Sequence, residues 1–208
     1  MKSPADRVIE LYRSHARAWV ARRGRHLTEK VWIDRFLQRL PDAPSVLDLG
    51  CGSGEPIGRY LLETGSEVVG VDGSQELIEI AQGRVPGATW ITADMRALRL
   101  DMAFDGILAW NSTFHLTPED QRGMFAVFER HAAPGAALIF TSGPRYGDAL
   151  GEFEGEALYH SSLDEDEYRA LLKQHGFAVV DHVVEDPDCG FLTVWLAQKD
   201  ASFPLERP

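Results

Sequence analysis

Cysteine is scarce in this chain: 208 residues hold two, Cys51 and Cys189, neither in a CxxC pair nor at a metal-ligand spacing. A disulfide-stapled scaffold is thereby excluded, and both read as free thiols of a reducing compartment, with the cytoplasm as the expected location. No cluster of His, Cys and Asp has ligand spacing, so no metal is expected. Long apolar runs are missing too, as is a charged-then-apolar start, so neither a membrane span nor a secretion signal is expected. Positive charge is in deficit: the net charge of −11 would repel nucleic-acid phosphates, and nucleic acid is not an expected partner. Repeats, low-complexity tracts and linkers are absent. The expectation is one domain over residues 1–208, monomeric or homodimeric.

What charge there is lies unevenly. Residues 1–40 hold ten Lys/Arg against four Asp/Glu, whereas Asp148 to Glu167 has eight acids and no Lys or Arg. The favoured reading is a basic N-terminal segment packed on an acidic body. A sharper one has Arg22, Arg23 and Arg25 receive an anionic group of a substrate.

Short β-rich runs alternate with helical stretches, the signature of a parallel α/β sheet. Helices are expected over 5–21 and 29–40, forming an N-terminal helical cap over 1–41. The first has Val8, Leu11, Tyr12, His15, Trp19 and Val20 on one face. Its basic character also permits a membrane surface, but Glu10 interrupts the stripe, and docking on a domain accounts for it better. Strands are expected over 45–49, 67–71, 88–92, 104–109, 136–141, 177–185 and 191–198. Between them lie a helix begun by Pro56, one capped by Ser74 and stopped at Gly83, one opened by Thr117-Pro-Glu-Asp120, and one near 164–175. Residues 142–162 carry four glycines and read as a lid-like insertion, with a small surface hairpin as the plainer alternative.

The densest signal is Val46-Leu-Asp-Leu-Gly-Cys-Gly-Ser-Gly54, three glycines between a strand and a helix. Glycine lets the backbone turn sharply and lets a ligand lie on main-chain N–H groups. A dinucleotide GxGxxG fails in both registers, since Glu55 and Ile57 stand where the third glycine belongs. Glu55 would also set a negative charge beside the phosphates. Asp72 ends the second strand, where a carboxylate can accept both hydroxyls of a ribose. Asp94 follows the third strand, where it can accept from an adenine amine while Met95 packs on the ring. Each aspartate alone is more often a turn residue. Three such features at successive strand ends are hard to explain as turns.

Together they resemble class I S-adenosylmethionine (SAM)-dependent methyltransferases: Asp48-Leu-Gly-Cys-Gly-Ser-Gly54 matches the family's first motif, Val71-Asp72 the second, Ala93-Asp94-Met95 the third. The resemblance is tight over 45–141. It implies a doubly wound seven-stranded sheet of order 3-2-1-4-5-7-6 with strand 7 antiparallel. It also implies SAM as cofactor, S-adenosylhomocysteine as product, and SAM contacts at Gly50, Gly52, Gly54, Asp72 and Asp94. Asp48, Gly73, Ser74, Met95, Asn111, Tyr12 and Trp19 complete the candidate cofactor set. The segments Tyr12–Trp19, Asp105–Trp110 and Asp186–Leu196 are similar to a bacterial group of these enzymes without an assigned substrate.

Methyl transfer from SAM needs positioning, plus removal of an acceptor proton where there is one. After the fourth strand, Asn111 is a candidate contact to SAM or acceptor, and His115 a candidate general base or a structural hydrogen-bonding residue. The Asn/Asp-Pro-Pro-aromatic motif of nucleobase-methylating enzymes is absent here, since Asn111-Ser-Thr-Phe114 lacks both prolines. Tyr146, Tyr159 and His160 are acceptor-pocket candidates, and His182 reads as structural. The expected activity is methyl transfer to a small-molecule O, N or S atom, with Asn111, His115 and Tyr159 as catalytic candidates. An NAD-dependent oxidoreductase and a non-catalytic SAM-binding domain are the alternatives.

Overall fold

A computed structural model describes residues 4–203. The first helical stretch is two pieces, α1 (Val8–Ser14) and α2 (Ala16–Arg23), broken at His15 (φ −115°, ψ 23°). At the break the His15 ring meets Glu156 at 2.8 Å. After α3 (Lys30–Leu37) come β1 (Ser45–Leu49), α4 (Ile57–Glu63), β2 (Glu67–Asp72), α5 (Gln75–Arg84), β3 (Thr89–Thr92) and β4 (Phe104–Ala109). The chain continues through α6 (Pro118–His131), β5 (Ala132–Ser142), β6 (Gly147–Phe153), β7 (Glu156–Ser162), α7 (Glu165–Gln174), β8 (Phe177–Asp186) and β9 (Leu192–Lys199).

Seven strands form one sheet in the order β3-β2-β1-β4-β5-β9-β8. With the hairpin set aside, that is the implied 3-2-1-4-5-7-6 order. Strands β1 to β5 pair in parallel, and β9 runs antiparallel to both β5 and β8. Alternation along β1 sorts its side chains onto two buried layers. Leu47 and Leu49 join Phe125, Phe128 and Trp195 on the α6–α7 face, while Val46 joins Trp32, Phe36, Leu61 and Trp90 on the opposite face.

Local signals behave largely as their chemistry dictates. Ser74 accepts the Leu77 N–H and Thr117 the Asp120 N–H, so α5 and α6 start where expected. Gly83 does not stop α5: it does not take the left-handed conformation of a glycine stop, and the helix runs on to Arg84. The insertion is the hairpin β6–β7, a separate two-stranded sheet. Its turn places Glu154 (φ 52°) and Gly155 (φ 80°) in left-handed conformations, the demand of a tight hairpin turn. Against it Val8 and Leu11 of α1 pack with Phe153 and Leu158 in a small satellite core. No helix among the described residues is long and apolar enough to cross a membrane.

Candidate active site

The glycine loop leaves β1 with Gly50 at φ 80° and Gly52 at φ 55°. A Cβ on Gly50 would sit 2.3 Å from Ser112 Cβ, and one on Gly52 2.4 Å from the Trp19 ring, so neither position has room for a side chain. Asp72 pins this loop. Its Oδ2 accepts the Gly52 N–H at 2.9 Å and its Oδ1 the Ser74 N–H at 2.8 Å. Burial raises the Asp72 pKa, partly offset by those two N–H donors. A carboxylate has about four lone-pair sites, so two remain for a ligand.

Asp72, Gly50, Gly52 and Gly73 line a cleft with Asp94, Met95, Asn111 and Ser112, under Ile9, Tyr12 and Trp19 of the helical cap. The expected cofactor residues are thus largely brought together at the carboxyl ends of β1 to β4, where open α/β sheets bind ligands. Gly54 and Ser74 stand behind the cleft: Gly54 faces the Trp90 ring, and Ser74 caps α5. Asp94 has a partner that the sequence did not suggest. Arg96 grips its carboxylate through Nε and Nη2 and also reaches Asp120 at 3.1 Å. Burial works to raise the Asp94 pKa, but the Arg96 bonds outweigh it and hold the group below the ordinary carboxylate range. A ligand amine at Asp94 would share that carboxylate with Arg96.

A second cavity of about 230 Å³ adjoins the cleft, and the two share Tyr12, Trp19, Gly50, Asn111 and His115. Asn111 takes a left-handed conformation (φ 50°), held by its N–H to Thr141 Oγ1 at 2.9 Å. His115 Nδ1 lies 2.8 Å from the Tyr159 carbonyl, and Nε2 lies 2.9 Å from the Tyr12 hydroxyl. A carbonyl can only accept, so the proton sits on Nδ1 and the Tyr12 O–H donates to Nε2. Burial lowers the His115 pKa to about 4, helped by nearby His160, and raises that of Tyr12. At neutral pH this is an uncharged hydrogen-bonded pair, a poor sink for a proton.

Three expected residues are placed differently from their expected roles. The Tyr159 ring packs at the edge of the satellite core and lines neither cavity; what Tyr159 offers the site is its backbone carbonyl. Strand alternation across β7 turns His160 to the cavity instead, with its ring 4.7 Å from that of His115. Tyr146, just before β6, lines a separate pocket with Phe114 and Ser162 and is 57% exposed. Asp48 faces the second cavity and not the cleft, because alternation along β1 sends it to the Val46 side.

The basic segment mostly packs on acids. Arg23 pairs with Glu29, Arg25 with Glu55, and Arg22 lies 5.7 Å from the Phe153 ring centroid. Glu55 is also gripped by Arg59 and Arg84. Its charge is therefore compensated, and repulsion by Glu55 gives no reason against a phosphate. The missing third glycine still does. Among the described residues no group of three or more His, Cys, Asp or Glu could hold a metal ion.

Residues 46–135 match a family described as a methyltransferase domain. A Bacillus subtilis protein classed as a methyltransferase, YqeM, is 36% identical over 199 residues, covering 88% of this chain and 76% of that protein. The dTDP-4-amino-2,3,4,6-tetradeoxy-D-glucose N,N-dimethyltransferase of Saccharopolyspora spinosa is 33% identical over 137 residues, 65% of this chain and 52% of its own. The chain thus spans about half the length of several curated relatives that it matches. Among solved structures, the Burkholderia thailandensis 1,6-didemethyltoxoflavin N1-methyltransferase, bound to its substrate and S-adenosylhomocysteine, superposes with a TM-score of 0.75. It is 21% identical, and the match covers 96% of this chain and 92% of that one, a likeness of fold. With the sheet order, the glycine loop and the aspartate at the end of β2, these matches show that the chain belongs to the class I SAM-dependent methyltransferases.

Proposed function

We propose that this chain binds SAM in the cleft and transfers its methyl group to a small-molecule acceptor held in the adjoining cavity. The observation that carries this reading is the junction of the two spaces at Tyr12, Trp19, Gly50, Asn111 and His115. The site suits the cofactor: a loop that admits no side chain at Gly50 or Gly52, and a buried carboxylate at Asp72 with two acceptor sites to spare for ribose hydroxyls. Bound there, SAM supplies a methyl group already activated by its sulfonium.

The chain's own work is then positioning. Trp19 lies on Gly52 and Ile9 on Gly73, so α1 and α2 close the cleft against water. Neutral His115 and the Tyr12 hydroxyl, fixed by the Tyr159 carbonyl, orient the acceptor's nucleophilic atom at the junction. Residues 1–208 act as one unit in this reading, with the 1–41 segment as its cover and the 142–162 hairpin as the acceptor-side wall. The relatives support a small acceptor: the Saccharopolyspora and Burkholderia proteins are named for methylating an amino sugar and a heterocycle.

Titration calorimetry with SAM, S-adenosylhomocysteine and NAD tests the cofactor. SAM and S-adenosylhomocysteine are expected to bind and NAD not to. Asp72→Asn is expected to weaken S-adenosylhomocysteine at least about tenfold, since hydrogen bonds to a charged acceptor contribute ~1.5–3 kcal/mol each. Tight NAD binding without SAM binding would sink the reading.

A further inference from the structure

Part of the second cavity's wall comes from two segments that no strand pairing joins. Phe114 and His115 stand on the turn between β4 and α6, whereas Leu158 and His160 stand on β7, whose sheet among the described residues is the hairpin itself. A two-stranded hairpin is marginal alone, so side chains must fix its place against the body. Gln121, in the first turn of α6, lies between the two segments and is 2% exposed. Its Nε2 donates to the carbonyl of Leu116, the residue after His115, at 3.2 Å. It also donates to Ser161, the residue after His160, at 3.0 Å to the carbonyl and 2.8 Å to Oγ. Ser161 Oγ donates in turn to the Leu116 carbonyl at 2.7 Å. Behind them the Tyr168 hydroxyl accepts the Leu163 N–H at 3.2 Å and donates to Gln121 Oε1 at 2.5 Å. Carbonyls can only accept, so the amide nitrogen faces the two backbones and the amide oxygen faces Tyr168.

We propose that Gln121, which lines neither cavity, is a positioning residue of the acceptor site: it holds the residue after each histidine and so sets His115 against His160 and the Tyr159 carbonyl. The proposal rests on the methyltransferase reading above and adds a residue to its acceptor side. Space alone at this position is filled as well by Met or Leu. A buried amide with both ends bonded does more, because it specifies one arrangement of the groups around it. Ser161 lies two residues beyond Tyr159, whose carbonyl keeps the His115 proton on Nδ1 at 2.8 Å. Without the Gln121 donors, Ser161 and Leu116 lose a shared anchor, and β7 is free to draw that carbonyl away from His115. The imidazole then keeps no fixed tautomer, and the atom it presents at the junction is no longer defined.

The test uses the full chain with isotope-labelled histidine, whose nitrogen resonances report the tautomer. The unaltered protein is expected to show His115 protonated at Nδ1. Gln121→Met is expected to give His115 a mixed tautomer while S-adenosylhomocysteine affinity stays within about twofold. Gln121→Glu separates a donor from a filler of space. Its oxygen facing the two backbone carbonyls donates when protonated and repels them when ionised. The His115 signal of Gln121→Glu is therefore expected to match the unaltered protein at about pH 6 and Gln121→Met at about pH 9. Burial keeps His115 itself neutral across that window, and the unaltered protein measured at both values is the control. An unchanged tautomer in Gln121→Met overturns the proposal, as does a Gln121→Glu signal that does not respond to pH. Should Gln121→Met fail to fold, the pH comparison on Gln121→Glu decides alone. An unaltered chain that binds no S-adenosylhomocysteine overturns the methyltransferase reading, whereas the His115 signals still decide whether Gln121 positions that ring.

Discussion

His115 and Asp48 lie on the same cavity and titrate in opposite directions from their ordinary values, so pH acts on the site through both. The folded pKa of His115 is about 4, below the unfolded value, so the unfolded chain binds more protons as pH falls below about 6.5. Stability contributed by neutral His115 is therefore present above pH 6.5 and lost on acidification toward pH 4. Asp48 is raised to about 7, so its contribution is present below the unfolded value near 4 and lost as pH rises toward 7. The two oppose each other between pH 4 and 6.5, and substitution isolates one of them. His115→Gln is expected to lessen the loss of stability between pH 7 and pH 5, by an amount on the order of 1–3 kcal/mol. Urea unfolding of both proteins at the two pH values measures it. An equal loss in both proteins would refute the assignment. In the sequence His115 was a plausible base; its partners, the Tyr159 carbonyl and the Tyr12 hydroxyl, lie 44 and 103 residues away, and no local pattern encodes them.

At the scale of elements, the hairpin β6–β7 joins α1 to the second cavity. It supplies the Tyr159 carbonyl to His115, His160 to the cavity wall, and Phe153 and Leu158 to the core under α1. Its weak point is Glu154, a charged residue at φ 52° where Asn is better tolerated. Glu154→Asn is expected to stabilise the chain by roughly 0.5–1 kcal/mol without changing S-adenosylhomocysteine affinity. Thermal unfolding with and without that ligand checks both statements. A lowered Tm would mean that Glu154 makes a contact worth more than the turn strain. Four glycines over residues 142–162 read as loop. Pairing from Gly147↔Ser162 to Phe153↔Glu156 overrides that composition, because the backbone groups of an insertion this long need partners.

Across the whole molecule, α1 and α2 rest on the satellite core and not, like α3, on the main one. These two helices pack through Val8, Leu11, Tyr12 and Trp19, while the ion pairs of residues 8–25 to the body, Arg13–Glu76 and Arg25–Glu55, involve exposed arginines. Exposed pairs are screened by salt, and small satellite cores open more readily than the main one. Hydrogen exchange is therefore expected to be faster over residues 8–23 than over β1 and β4, to rise further in high salt, and to slow on adding S-adenosylhomocysteine. Exchange over residues 8–23 as slow as in β4, with or without ligand, would show the cap to be a fixed wall.

Sequence alone determined the sheet, the glycine loop and the cofactor side, because their signals are local. A strand, its terminal aspartate and the following turn lie within a few residues, and alternation or capping reports each directly. Tertiary structure decided the second cavity. Which way Asp48 faces, which atom of Tyr159 matters, and that Arg96 holds Asp94 depend on strands and turns from distant parts of the chain meeting at one end of the sheet. Burial and pairing there set the charge of His115 and leave Asp48 without a partner, and neither follows from residue type or spacing.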